Sequence, residues 1–195
     1  EYNLLSMPGL TNTSLCSKIV RVAEQRGDAL AIIDLEGGYV PNTENTLTEQ
    51  QRLGSVSAVV NTVKNSLRLN SSYGAAYYPW VQVRDTVNGV NVFVPPSVAA
   101  IGALGYSESV SELWFAPAGF TRGGLSANNA AGLPVVGVRQ RLTSKDRDKL
   151  YENHINPIAS FPAEGIVIFG QKTLQTTPSA LDRINVRRLA IFLKR

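Results

Sequence analysis

Leu15, Ile19, Val22 and Ala23 recur at helical spacing behind Thr11, Asn12 and Thr13, three residues suited to capping a helix start. The pattern predicts a helix that stops at Gly27, a typical residue just past a helix end. Before it, Leu4-Leu-Ser-Met-Pro8 predicts a short strand ended by Pro8 and Gly9. After it, Ala29-Leu-Ala-Ile-Ile-Asp34 is a continuous apolar run, as expected of a strand buried on both faces. Strand, helix and strand within about 35 residues make a βαβ unit, for which a right-handed crossover is expected.

A polar loop follows from Glu36 to Asn45. Thr46 with Glu49 three residues on reads as a capping box, opening a helix with inward positions Leu53, Val56, Val60, Val63 and Leu67. Gly54 weakens its first turns by up to about 1 kcal/mol relative to Ala. Ala75–Val83 is aromatic and β-branched, with Pro79 marking an edge or a bulge. Asn88-Gly89 lies between two alternating runs and predicts a hairpin with positive φ at both turn residues. Pro96 opens a helix over Ser97 to Gly105, whose small residues permit close packing. Residues 114–138 read as loop, apart from a short strand at Val135–Val138. Thr143 or Ser144 caps a helix from Lys145 to about His154, broken by Asn156-Pro157. Gly165–Gly170 reads as a buried strand extended by Thr173 and Leu174, and a last helix runs from Arg183 to Arg195 with Ile184, Val186, Leu189, Ile191 and Phe192 apolar. The order predicts an α/β fold: one compact domain with helices packed on a mixed β-sheet that includes a hairpin at Asn88-Gly89.

Composition narrows the chemistry. The 195 residues suit one domain, and 44% hydrophobic residues supply a core. One cysteine, Cys16, excludes an internal disulfide framework, and with the single His154 it excludes a Cys/His zinc site made by this chain alone. No apolar run approaches the ~18 residues of a membrane span, so no membrane insertion is expected. Net charge is +4, unevenly placed: residues 139–195 hold 11 basic and 5 acidic side chains, a net of +6, which leaves −2 on residues 1–138. A basic end on a slightly acidic body points to an anionic partner, nucleic acid or protein, or simply to solvated helix faces.

Catalytic patterns are sparse. The sequence holds no G-x-G-x-x-G after a strand, no G-x-x-x-x-G-K-[ST] and no G-x-S-x-G. His154 has no recognisable nucleophile and reads as a helix-end residue meeting the dipole. Cys16 reads as a small packed residue. Asp34 and Glu36 end a strand and could bind Mg²⁺, but no third acid is spaced to help, so a role in holding a loop is favoured. Arg26-Gly27-Asp28 is explained by a helix stop. Glu1-Tyr2-Asn3 lacks the basic start of a secretory leader, so Asn12-Thr-Ser14 and Asn70-Ser-Ser72 read as chance glycosylation triplets. Tyr73, Tyr77, Tyr78 and Trp80 with Arg84 could stack on single-stranded nucleic acid, but a packed strand is favoured.

An ordered series of motifs goes further. Val94-Pro-Pro-Ser97, Trp114-Phe-Ala-Pro-Ala-Gly-Phe-Thr-Arg-Gly123, Arg147-Asp-Lys-Leu-Tyr151, Ile155-Asn-Pro-Ile158, Gly165-Ile-Val-Ile-Phe-Gly-Gln-Lys-Thr-Leu174 and Asp182-Arg-Ile-Asn-Val-Arg-Arg-Leu189 together resemble the tail sheath proteins of contractile-tailed bacteriophages. Asp28-Ala-Leu-Ala-Ile-Ile-Asp34 fits the same family more weakly. The resemblance implies a structural subunit of the virion with no cofactor, not an enzyme. Its expected partners are other copies of itself, the tail tube protein and the baseplate, without a small-molecule substrate. Such subunits stack as hexameric rings around the tube in the host cytoplasm, and their contraction drives the tube through the host envelope. It also implies a fragment: family members are longer and carry lattice-linking arms, a C-terminal region and outer domains, so residues 1–195 are expected to be one sheath-core domain that could be monomeric.

Arg183, Arg187, Arg188 and Lys194 cluster on the last predicted helix and are the expected contacts to a neighbouring copy or the tube. Reversing the charge of Arg187 and Arg188 is expected to weaken assembly and leave the fold intact. The 17% of charged residues, against roughly 25% in ordinary soluble domains, fits a surface covered by neighbours. A nucleic-acid-binding α/β module using the basic end is the alternative.

Overall fold

Period-two alternation inside short apolar runs decides the architecture. The computed structural model describes residues 2–43, 45–126 and 134–194. Strands β1 (Leu4–Ser6), β2 (Leu30–Ile33), β3 (Gly74–Tyr78), β7 (Ile155–Phe161) and β8 (Gly165–Ile168) form a five-stranded sheet in the order β1-β2-β3-β7-β8. The first four run parallel and β8 pairs antiparallel with β7. Ala31, Ile33, Ala76, Tyr78 and Ile155 point to one face, Leu30, Ile32, Ala75, Tyr77 and Ile158 to the other. Each face therefore buries its own apolar layer, which is why β2 is apolar at every position.

The first face is covered by α1 (Thr13–Arg26), α3 (Val56–Asn61) and α6 (Ser144–Glu152). The second is covered by α4 (Pro96–Val110), α7 (Ile184–Lys194) and a three-stranded sheet of order β5-β4-β6. Its strands are β4 (Val81–Asp85), β5 (Val90–Val94) and β6 (Val135–Val138). The α/β class, the mixed sheet and the hairpin at Asn88-Gly89 are thus as read from the sequence.

Several details differ, each for a local reason. In α1, Cys16, Val20 and Ala23 are buried and Leu15 is exposed. The Asn12 side chain caps this helix and Gly27 ends it in the left-handed region. The single helix expected from Thr46 to Leu67 is broken. Thr48, not Thr46, caps a one-turn α2 (Glu49–Arg52), in a capping box closed by Gln51. Gly54 then takes φ 60°, Ser55 caps α3, and a π-helical turn over Thr62–Leu67 follows. The break is enforced by packing: the Gly37-Gly38 backbone crosses Gly54 so closely that a Cβ there would overlap the Gly38 carbonyl oxygen.

The hairpin turn has four residues, 86–89, and only Gly89 has positive φ. The Asp85 carboxylate takes the place of a tighter turn, accepting from the Val87 and Asn88 N–H groups at 2.9 and 3.2 Å. Because Gly89 has open space around it, Gly89→Ala is expected to cost about 1 kcal/mol, the left-handed penalty alone. Gly54→Ala adds a backbone overlap and is expected to cost at least about twice as much. Urea unfolding of the two variants checks the ranking.

The aromatic run at 75–83 is two strands in two sheets, with a cis Tyr78–Pro79 bond between them. The helix expected to be broken by Asn156-Pro157 already ends at Glu152, and both residues lie in β7, between β3 and β8. Asn156 is wholly buried and its amide bonds like backbone, donating to the Ala76 and Lys172 carbonyls and accepting from Lys172 N–H at 2.6 Å. Pro157 faces Tyr78, the last residue of β3, where no further ladder is needed. A short helix α5 (Gly119–Arg122) interrupts the stretch read as loop, and α4 extends past the predicted stop to Val110. The Asn/Ala/Gly stretch at 127–133 lies outside the described residues.

Candidate subunit-contact surface

The C-terminal helix is held at its start by backbone bonds. Ile184 N–H donates to the Gln171 carbonyl and Thr173 N–H to that of Asp182, each at 2.8 Å. Ile184 and Ile191 then enter the core. This registration turns Arg187 and Arg188 inward as well. Arg187 lies with its guanidinium 4.0 Å from the centre of the Tyr73 ring, and its Nε donates to Ser72 Oγ at 2.9 Å. Arg188 is 2% exposed and its Nη2 meets Glu108 Oε2 on α4 at 2.9 Å. Burial pulls the pKa of both below the ordinary arginine value.

The expectation that these two arginines present charge to a neighbour is therefore corrected. They tie α7 to α4 and to the Ser72–Tyr73 turn, and reversing them would break the fold before it touched an interface. The outward pair is different. Arg183 is half-exposed, bonded to the Tyr151 hydroxyl and 3.3 Å from Asp182. Lys194 is exposed, its ammonium lying against Gly27 at the C-terminal end of α1, where helix carbonyls favour a cation.

The residues considered for catalysis have internal duties. Asp34, 1% exposed at the end of β2, accepts from Gly9 N–H at 2.8 Å, Ser97 N–H at 3.1 Å and Ser97 Oγ at 2.7 Å. It thus caps α4 from a distant strand and pins the loop after β1, the loop-holding role favoured from sequence. Burial raises its pKa despite those donors. Glu36 is exposed. Cys16 is buried, bonds to the Leu10 carbonyl, and has its thiol pushed up to about 11, so it is no ready thiolate. His154 places Nδ1 3.1 Å from the Thr173 carbonyl oxygen, and burial followed by the Lys172 charge pushes its pKa down. Among the described residues no three of His, Cys, Asp and Glu group to hold a metal ion, and no helix is long and apolar enough to cross a membrane.

Tyr77, Tyr78 and Trp80 are buried, and Tyr73 lies under Arg187. The rings of Tyr77, Tyr78 and Trp80 fill the core and that of Tyr73 is covered by Arg187, so this aromatic run is the packed strand favoured from sequence. Asn12 caps α1, Asn70 is bonded to Thr176 and Thr177, and Arg26 and Asp28 pair with each other at 2.7 Å.

Sequence reading missed an aromatic corner. Phe120 on α5, Phe161 on β7 and Phe169 after β8 meet with ring centres 5.1–5.7 Å apart. The Arg147 guanidinium lies 5.2 Å over Phe161. Phe120 and Phe169 are 47% and 42% exposed. Arg147, Phe120 and Phe169 sit in the motifs quoted above, but 49 residues separate Phe120 from Phe169, and no periodicity announces their meeting.

The fold itself is that of contractile sheath assemblies. All of this chain superposes on 45% of a chain in the helical sheath of the anti-feeding prophage in its contracted state, with TM-score 0.67 and 24% identity. It superposes equally on 44% of a chain in that particle's baseplate, with TM-score 0.68 and 23% identity. A contracted extracellular injection-system sheath matches over 97% of this chain and 44% of its own, with TM-score 0.63 and 22% identity. In sequence the chain is similar to phage tail sheath proteins. It is 29% identical to that of Enterobacteria phage T4 over 184 residues, which is 94% of this chain and 27% of the relative. It is 35% identical to that of Vibrio phage KVP40 over 133 residues, 68% of this chain and 19% of the relative. The chain thus spans about a quarter or less of the curated relatives it matches. No protein-family model matches it.

Proposed function

We propose that this domain is the core of a contractile tail sheath subunit, packing with copies of itself around a tail tube and against a baseplate. The observation that carries this reading is the joint likeness, in sequence to phage tail sheath proteins and in fold to contracted sheaths. The role is structural and belongs to the virion, with assembly in the bacterial cytoplasm. It needs no catalytic step or cofactor: each subunit keeps its fold while contacts between neighbours switch. The three-layer packing and the buried ties at Asp34 and Arg188 support a body that moves as a unit. Arg183 and Lys194, the outward basic residues of the α7 region, are the contacts to a neighbour or the tube within this reading.

Electron microscopy of the complete gene product that carries this chain, alone and with the tube protein, tests the proposal. Rings or hollow tubes are expected. A monodisperse product under both conditions would refute it.

A further inference from the structure

Two corners of this domain carry exposed apolar side chains beside charge of opposite sign. At the first, Phe120 and Phe169 flank Phe161, and Arg147 covers that ring. None of the three rings belongs to either core layer. A cleft of about 310 Å³ opens beside them, lined by Arg147, Asp148, Tyr151, Pro157 and Phe169. Arg147 donates to Ser144 Oγ and forms no ion pair among the described residues. Asp146, the acid beside it, is engaged in the capping box with Thr143. Asp148 also lines the cleft, but Lys172 and Arg183 lie against its Tyr151 ring, so the corner offers a guanidinium and aromatic edges in basic surroundings, within the segment that carries the +6 excess.

The second corner is the C-terminal end of α4. Here Glu108 and Glu112 flank Val110, which is 55% exposed. The helix runs for 15 residues, and its C-terminal dipole adds negative potential at this end. Just past it Trp114 meets Phe192 with ring centres 5.4 Å apart, and Phe192 is half-exposed. Glu108 is held by Arg188, so this corner offers the exposed Glu112 carboxylate and aliphatic surface.

We infer that these two corners are partners across copies: the Arg147–Phe161–Phe169 cleft receives the Glu108–Glu112 end of α4 from a second copy of this chain. The inference rests on the self-assembly proposed above and names the surface that serves it. Charge complementarity selects the occupant. A guanidinium over an aromatic ring is weakly hydrated and suits a carboxylate in a partly desolvated contact, while Val110 fits against the exposed rings. A contact between two different patches of one chain propagates from copy to copy, which suits a ring or a helix.

A charge swap tests it on the complete gene product, read by sedimentation and electron microscopy. Arg147→Glu and Glu112→Lys should each raise the concentration needed for assembly about tenfold. The double variant should restore it to within about threefold of the parent. Phe169→Ser, which changes no charge, should also weaken assembly about tenfold. Thermal unfolding midpoints within about 3 °C of the parent show that the variants fold. Assembly unchanged in the single variants would overturn the pairing and leave the sheath reading standing. Loss in both without restoration would also overturn it and point to another partner, such as the tube protein. A parent that forms no polymer would overturn both.

Discussion

Arg188→Glu is expected to unfold this domain, whereas Arg188→Met is expected to be tolerated. The guanidinium is 2% exposed, held between α7 and α4 by one ion pair to Glu108, with the Tyr77 ring of β3 close by. Reversal places a carboxylate in that site, facing another carboxylate, without a donor to replace water. Breaking a buried pair in this way costs about 3–5 kcal/mol, and a domain holds only about 5–15 kcal/mol in total. Methionine fills a similar volume with nothing to satisfy, and frees the half-exposed Glu108 to return to water. Arg188 Nη1 has no hydrogen-bond partner among the described residues, so its removal forfeits little. Loss of about 1 kcal/mol or less is expected for Met, and urea unfolding with far-UV circular dichroism separates the two outcomes. Arg183→Glu, at a half-exposed site, should stay within about 1 kcal/mol of the parent.

The second large effect is at Asp34. Asp34→Ala leaves the Ser97 N–H and hydroxyl without their acceptor at the buried start of α4, and the Gly9 N–H without its acceptor on the exposed loop after β1. Each of the two buried donors of Ser97 costs about 1–3 kcal/mol when stranded, partly offset because a desolvated charge is also removed, so a net loss of about 3 kcal/mol is expected. Asp34→Asn keeps one acceptor oxygen and should lose about half of that. The pH dependence runs opposite to that of an ordinary paired carboxylate. Burial raises the folded pKa above 3.8, so the native state binds the proton more tightly than the unfolded chain does. The contribution of Asp34 to stability is therefore greatest once the group is protonated, and falls as pH rises from near 4 through the raised pKa. Denaturation of the parent and of Asp34→Asn across that window should show the parent gaining on the variant as pH falls.

These two residues show what the sequence could and could not carry. The strand around Asp34 was legible because a doubly buried strand must be apolar throughout. Its carboxylate could be read as a loop holder because no second and third ligand lay nearby. The helices with clean caps, α1 and α6, were legible for the same local reason. What failed was long-range. Gly54 breaks a helix because another backbone crosses it, and Asn156 stands in a central strand because its amide imitates a peptide group toward Ala76 and Lys172. Arg187 and Arg188 read as exposed because arginine usually is, and only Tyr73, Ser72 and Glu108, from 80 to 115 residues away, show otherwise. The aromatic corner was the least legible part. Phe120 and Phe169 lie in separate motifs, and their meeting with Phe161 is made by the sheet.

The central claim is that this domain moves as one body within a polymer of its own kind. Cryo-electron microscopy of the complete gene product, assembled with the tube protein before and after contraction, tests it most directly. The five-stranded sheet, with its Asp34–Ser97 and Arg188–Glu108 ties, should superpose between the two states within about 1 Å while contacts between copies change. Ties that break on contraction, or a product that forms no sheath, would contradict it.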